Sequence, residues 1–180
     1  MKLHFELPWE RYALIAEIVK RFQAANFRLG KTALQKMVFL LQRAFGVEID
    51  YQYTLYTYGP YCADVARDLD TVAVFGGAQV LCDLSFGGYE IIPGATNEEI
   101  RERSRPFLDG ISSQLDRLVS TFGSFNAKEL ELRSTIIFLS KPGLPRQDLI
   151  RQVFEVKPHF AEATIAQAVG ELEALGYARF

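Results

Sequence analysis

The residues of this 180-residue chain whose types could support catalysis or hold a metal are two histidines, two cysteines, and a few closely spaced hydroxyls and carboxylates. His4 and His159 stand far apart with no second ligand near either, so each reads as a surface or packing residue. Asp68 and Asp70, beside Thr71, form a D-x-D pair of the kind that can hold a divalent cation. On a helix, however, residues two apart point about 200° away from each other. A solvated helix face is the better reading. Gly30-Lys31-Thr32 echoes the tail of a phosphate-binding loop but lacks its earlier glycine and a preceding strand. Ser134, Ser140, Cys62 and Cys82 have no partnered base at a recognisable spacing. The cysteines, twenty residues apart, read as small buried hydrophobes instead of a disulfide. The expectation is therefore a non-enzymatic protein with no metal and no cofactor. An enzyme would need a pocket joining residues distant in sequence, such as Tyr58, Asp68 and Arg133.

With 49% hydrophobic and 23% charged residues the chain can bury a substantial core, as one domain or two small lobes sharing an interface. No apolar run approaches the roughly 18 to 20 residues that span a bilayer, and the N-terminus lacks the apolar region of a signal peptide. The expected setting is soluble and cytoplasmic. A net charge of −2 gives no general attraction to nucleic acid, but the charge is unevenly distributed. Residues 20–43 hold Lys20, Arg21, Arg28, Lys31, Lys36 and Arg43 with no acidic residue, a local charge of +6. Residues 44–100 hold Arg67 against nine carboxylates, a local charge of −8. Such asymmetry either guides partner choice or lets the two segments face each other.

Hydrophobic periodicity supplies the elements. Pro8-Trp9-Glu10 opens a helix that packs Tyr12, Ile15, Val19 and Phe22 inward. After Gly30 a second helix runs from Lys31 or Thr32 to Phe45, apolar on most of its surface and so central. Residues Tyr51 to Tyr58 read as a strand ended by Gly59-Pro60, with Pro60 able to start the next helix. That helix places Val65, Leu69, Val72 and Phe75 inward, with Asp64, Arg67, Asp68 and Thr71 outward, and finishes at Gly76-Gly77. Gln79 to Asp83 and Tyr89 to Ile92, joined through Ser85-Phe86-Gly87-Gly88, give a hairpin. Asn97 with Glu98 and Glu99 signals another helix start, Pro106 a kink or restart, and Phe107, Ile111, Leu115, Leu118 and Phe122 an apolar stripe. Asn126 and Glu129 form a capping-box pattern opening a helix through Leu139, with Ile136 to Leu139 in the core. Helices near Pro145 to Glu155 and Ala161 to Leu175 follow, and Tyr177 to Phe180 read as an edge strand. The fold class is mainly α with small β-hairpin elements. Residues 1–95 form a winged-helix-like region, and residues 96–180 a helical, winged-helix-like region sharing one core with the first.

A winged helix invites a DNA-binding reading, but the helices placed to read DNA are acidic. The Tyr61 to Phe75 helix exposes Asp64, Asp68 and Asp70, and the last helix carries Glu162, Glu171 and Glu173 with no Lys or Arg. On the basic helix, Lys31, Gln35, Lys36, Gln42 and Arg43 share one broad face, and Phe39 falls among them. Two readings follow. Either another element of the protein covers Phe39, or Phe39 is an aromatic anchor in a partner-binding patch rimmed by Lys and Arg.

Thr32 to Leu41, with Leu34-Gln35-Lys36 at its centre, then an aromatic strand ending Tyr58-Gly59-Pro60-Tyr61, then a helix, resembles the YwgA-type uncharacterised bacterial proteins. The same order is more distantly similar to the SocA-like antitoxin domain, also called Panacea, over roughly residues 10 to 95. The resemblance implies protein binding without catalysis, because antitoxins of that family neutralise toxins by direct contact. Tyr61 stands where that domain commonly has a small aliphatic residue. The expectation is a protein-interaction module, antitoxin-like or regulatory, with a protein partner such as a toxin or a second copy. Its contact residues would be Lys31, Gln35, Lys36, Phe39, Gln42, Arg43, Tyr58 and Tyr61. The alternative is a transcriptional regulator of winged-helix type that binds DNA through residues 20–43, as a dimer pairing two basic faces.

Overall fold

The computed structural model describes residues 7–83 and 88–178. They form helices α1 (Trp9–Ala24) and α2 (Lys31–Arg43), strands β1 (Thr54–Tyr56) and β2 (Gly59–Tyr61), helix α3 (Ala63–Val74), strands β3 (Ala78–Asp83) and β4 (Gly88–Pro93), then α4 (Asn97–Glu102), α5 (Arg105–Gly110), α6 (Ser112–Phe122), α7 (Ala127–Leu139), α8 (Arg146–Val156) and α9 (Glu162–Ala174). Among the described residues the protein is mainly helical with two small antiparallel hairpins, β1–β2 and β3–β4; the helical class and the β3–β4 hairpin agree with the sequence pattern. Ser85, Phe86 and Gly87 of the second hairpin's connection, and His4, lie outside the described residues. Among the described residues no helix is long and apolar enough to cross a membrane.

Two compact units make up the chain, and neither is continuous in sequence. One contains the chain through Leu34 together with Ala63–Ser124; the other contains Gln35–Cys62 and the chain from Phe125 onward. The division expected at residue 95 is therefore replaced by an interleaved one. Its physical reason lies in α1. Every residue from Tyr12 to Val19 is buried, so the helix has no solvent face along that run and needs cover all round. The inward face read from periodicity was too narrow. Cover comes from α3 and β4 and also from α4, α5 and α6, which draws residues 97–122 into the first unit.

Burying α1 on all sides buries Glu17, whose charge must then be paired. Arg21 Nε donates to Glu17 Oε1 at 2.7 Å, and Arg101 Nη1 to Oε2 at 2.9 Å. Arg101 is itself 5% exposed; its Nε donates to Asn97 Oδ1 at 3.0 Å, and it also bonds Glu98. Asn97 does not cap α4 as its position suggested. Thr96 precedes the helix, and the Asn97 amide turns inward to donate to the carbonyls of Ala16, at 3.0 Å, and Gly77, at 2.9 Å. Asp68, expected on the outer face of α3, is buried and accepts from Arg11 Nε at 2.7 Å. Here a carboxylate at a nominally outward position meets a cation on a neighbouring helix. Gly94 runs against Gly76 so closely that a Cβ would lie 2.1 Å from the Gly76 carbonyl oxygen. The approach lets Gly94 and Thr96 donate to Gly77 and Gly76, both at 3.1 Å.

In the second unit α7, α8 and α9 pack on one another and β2 packs on α7. The predicted capping box is present: Asn126 Oδ1 accepts from the amides of Lys128 and Glu129, and Glu129 Oε2 accepts from the amide of Asn126. Ile136 and Ile137 are core, while Phe138 and Leu139 are half-buried. Tyr177 and Ala178 do not form the expected edge strand. Their amides instead bond the Leu172 carbonyl at 2.8 and 3.2 Å and close the end of α9, with Gly176 at φ +75° making the reversal.

The Glu17 network makes a quantitative expectation. Burial works to raise the Glu17 carboxyl, but hydrogen bonds from Arg21 and Arg101 outweigh it and hold the group below its ordinary 4.5. A lowered carboxylate contributes stability above pH 4.5 that is lost as pH falls through the native value. Urea unfolding should therefore show stability declining below that pH, with a shallower decline in Glu17→Gln. Arg101→Leu, which leaves Glu17 half-paired and Asn97 short of a donor, should cost about 3 kcal/mol at pH 7.

Candidate interaction surface

The segment Tyr51 to Cys62, YQYTLYTYGPYC, alternates in burial as a strand should. Tyr51 is buried and Tyr53 and Leu55 are half-buried, while Gln52, Thr54 and Tyr56 are exposed. Gly59-Pro60 does not end this strand, nor does Pro60 open a helix. Thr57 and Tyr58 form a two-residue turn, Gly59 takes φ +89°, and Gly59 to Tyr61 return as β2, pairing Tyr56 with Gly59, Leu55 with Pro60 and Thr54 with Tyr61. Helix α3 starts only at Ala63. The sequence reading missed this hairpin because proline was treated as a breaker, whereas an edge strand tolerates it.

A hairpin of two three-residue strands is not stable alone. Side chains of α2 hold it by its backbone. Gln35 Nε2 donates to the Cys62 carbonyl at 2.9 Å while its Oε1 accepts from the Cys62 amide at 3.1 Å. Gln42, seven residues on and hence on the same helix face, treats Tyr51 the same way, at 3.0 and 3.3 Å. The two glutamines thus grip both ends of the segment. Between them Lys36 Nζ donates to the Pro60 carbonyl at 2.7 Å. From the segment after α8, Lys157 Nζ donates to the carbonyls of Tyr56, at 3.2 Å, and Thr57. Gly59 lies against α7, where a Cβ would meet Thr135 Oγ1 at 3.2 Å and Lys36 Cε and Ser134 Oγ at 3.3 Å.

The charge beneath the hairpin is balanced by one carboxylate. Glu131 Oε1 lies 2.9 Å from Lys157 Nζ and 3.3 Å from His159 Nε2. Lys36 and Lys157 are each 2% exposed. Burial, reinforced by the neighbouring Lys157 and only partly opposed by Glu131, pulls the Lys36 ammonium from 10.5 down to about 8. With both amines spent on main-chain carbonyls, this cluster acts as a clamp. Nothing in its geometry places a substrate against either lysine.

The face expected on α2 is accordingly corrected. Phe39 is fully buried, with its ring 5.1 Å from that of Tyr53 and 6.1 Å from that of Phe138, so the protein itself covers it. Gln35 and Lys36 are buried and Gln42 half-buried. Their polarity serves the hairpin backbone instead of a partner. Lys31 is exposed with its Nζ 4.4 Å from the centre of the Tyr89 ring, and Arg43 is exposed at the other end of the helix. Within the expected Tyr56 to Tyr61 contact turn, Tyr56, Tyr58 and Tyr61 are 66%, 64% and 39% exposed. Tyr56 and Tyr61 are diagonal neighbours across the hairpin with ring centres 5.9 Å apart. Lys157, Glu131, Ser134 and Thr135 were also missed. Two glutamines seven apart on an otherwise apolar helix were the available signal, since buried polar side chains need partners.

The residues named for a hidden catalytic pocket are engaged otherwise: Asp68 by Arg11, and Arg133 by Glu171 at 2.5 Å and by stacking over Phe125. Cations of the basic segment are also engaged by the protein's own groups. Lys20 pairs with Glu98, Arg21 with Glu17 and Asp116, and Lys36 with Pro60.

Two substitutions test the clamp. Gly59→Ala, placed at positive φ and against Thr135 and Ser134, should lose about 1–3 kcal/mol in chemical unfolding. A lysine lowered in the native state makes the unfolded chain the stronger proton binder between about 8 and 10.5. Stability should therefore climb as pH rises through about 8, and the climb should vanish in Lys36→Met. No protein-family model matches the chain, and no curated protein does.

Proposed function

We propose that this chain is a non-catalytic protein-interaction module of the cytoplasm and that it meets its partner through Tyr56, Tyr58 and Tyr61. The observation that carries the reading is their exposure of 66%, 64% and 39% on a hairpin whose backbone is fastened by buried side chains. Exposed aromatics on a floppy loop would lose ordering entropy on binding; a clamped hairpin has already lost it. Tyrosine adds a large, rigid contact area with a polar tip. No Asp, Glu, Lys, Arg or His occurs between Tyr51 and Cys62, which favours an uncharged apolar recess on a protein over a phosphate backbone.

The resemblance to the SocA-like antitoxin domain gives this reading its specific form, in which the partner is a toxin. Of the residues that carry the resemblance, Leu34-Gln35-Lys36 and Tyr58-Gly59-Pro60, the buried Lys36, Gly59 and Pro60 are hydrogen-bonded or packed neighbours here. They act as supports, with Tyr56, Tyr58 and Tyr61 as the surface they present. A DNA-binding role through residues 20–43 is the weaker reading, because Lys20, Arg21 and Lys36 are already engaged by groups of the protein itself.

Affinity capture from the native cell, comparing wild type with Tyr56→Ser/Tyr58→Ser, tests the proposal. A protein held by wild type and by the surface control Arg151→Ser should be lost from the tyrosine variant, with helical circular dichroism unchanged. Equal recovery with both variants would refute it, and salt-sensitive gel-shift binding to duplex DNA would favour the alternative.

A further inference from the structure

The β3–β4 hairpin has one covered edge and one open edge. Gly94 donates to the Gly77 carbonyl, so residues 77 and 94 oppose each other as a hydrogen-bonded pair. Alternation along an antiparallel ladder then makes Gln79–Ile92 and Leu81–Glu90 the next bonded pairs. Ile91, lying between them, points its amide outward, where it donates to the Leu29 carbonyl at 2.8 Å. That covers the β4 edge. On β3 the outward residues are Val80 and Cys82, and among the described residues no group bonds their outer backbone N–H and C=O. Val80 is half-buried and Cys82 exposed, while Ala78 before them is buried.

Strand edges that stay single usually carry a lysine, a proline, a bulge or a charge aimed across the edge. Ala78-Gln79-Val80-Leu81-Cys82-Asp83 carries none of these before its terminal aspartate. Apolar side chains are also exposed on the hairpin and in the residues before it, Val74 at 83%, Phe75 39%, Leu81 43% and Tyr89 49%, with Glu90 opposite Leu81 on β4. These residues sit on the hairpin or at the end of α3 just before it.

We propose that β3 is a self-association edge, pairing antiparallel with β3 of a second copy to give a four-stranded sheet. With only Val80 and Cys82 available for bonding, the two-fold axis falls at Leu81. Val80 of one copy then bonds Cys82 of the other, and the two Leu81 side chains meet across the axis on one face. Asp83 lies opposite Gln79, so no like charges oppose each other. Self-complementarity of this kind selects a second copy over an unrelated strand.

The test uses the full chain in analytical ultracentrifugation. Wild type should show a concentration-dependent dimer. Leu81→Lys and Leu81→Glu each place like charges face to face on the axis, so each alone should remain monomeric with unchanged helical circular dichroism. An equimolar mixture of the two should recover the dimer, now weakened by salt. Wild type that stays monomeric up to millimolar concentration, single variants that dimerise as wild type does, or a mixture that fails to recover the dimer would each overturn the proposal. So would β3 amides protected from exchange only when another protein is added, which would put a foreign strand on this edge.

Discussion

Gln35 lies inside a helix that is buried from Ala33 to Leu41, and its amide satisfies both backbone groups of Cys62. An unpaired amide there would cost about 1–3 kcal/mol, so the helix and the far end of the hairpin are bound to one arrangement. Gln42 repeats the bond at the near end, and Lys36 ties the turn's return strand between them. Three polar side chains on one helix thus do for the hairpin what a third strand would do in a larger sheet. With the backbone satisfied from below, Tyr56, Tyr58 and Tyr61 stay exposed among the described residues.

The same economy of charge runs through the first unit. A helix buried all round has no place for a solvated carboxylate, and Glu17 is kept there by two arginines, of which Arg101 in turn holds Asn97 and Glu98. The pairing links α1 to α4, 84 residues apart in sequence from Glu17 to Arg101, and accounts for α4 joining the first unit. The segments whose local charges are +6 and −8 are partly reconciled through such contacts, as with Lys20 and Glu98. What looks in sequence like a basic patch awaiting a partner is in part the interior electrostatics of the protein.

Two surface features, in contrast, are aromatic or apolar. The tyrosine hairpin of the second unit and the open edge of β3 in the first unit differ in kind. One offers side chains on a satisfied backbone, and the other offers unsatisfied backbone flanked by apolar side chains. The first suits a shaped recess on a different protein; the second suits only another extended strand.

Local signals in the sequence determined most of the elements. The Asn126–Glu129 box, the glycine after each of α3 and α9, and the β3–β4 hairpin signal all act within a few residues, and the structure carries them as read. Asp68, Asn97, Gln35, Lys36 and Phe39 were misplaced for a shared reason. Each is polar or large at a position where periodicity assigns it to solvent, or to a surface patch, and only a distant partner decides otherwise: Arg11 for Asp68, the Ala16 and Gly77 carbonyls for Asn97, Cys62 for Gln35, Pro60 for Lys36, Tyr53 and Phe138 for Phe39. A side chain's burial depends on what packs over it, which one segment's pattern does not contain. The composition and spacing of the chain thus determined that it is mainly helical with small hairpins, while tertiary packing alone decided that the polar stripe of α2 faces inward and that the tyrosines face out.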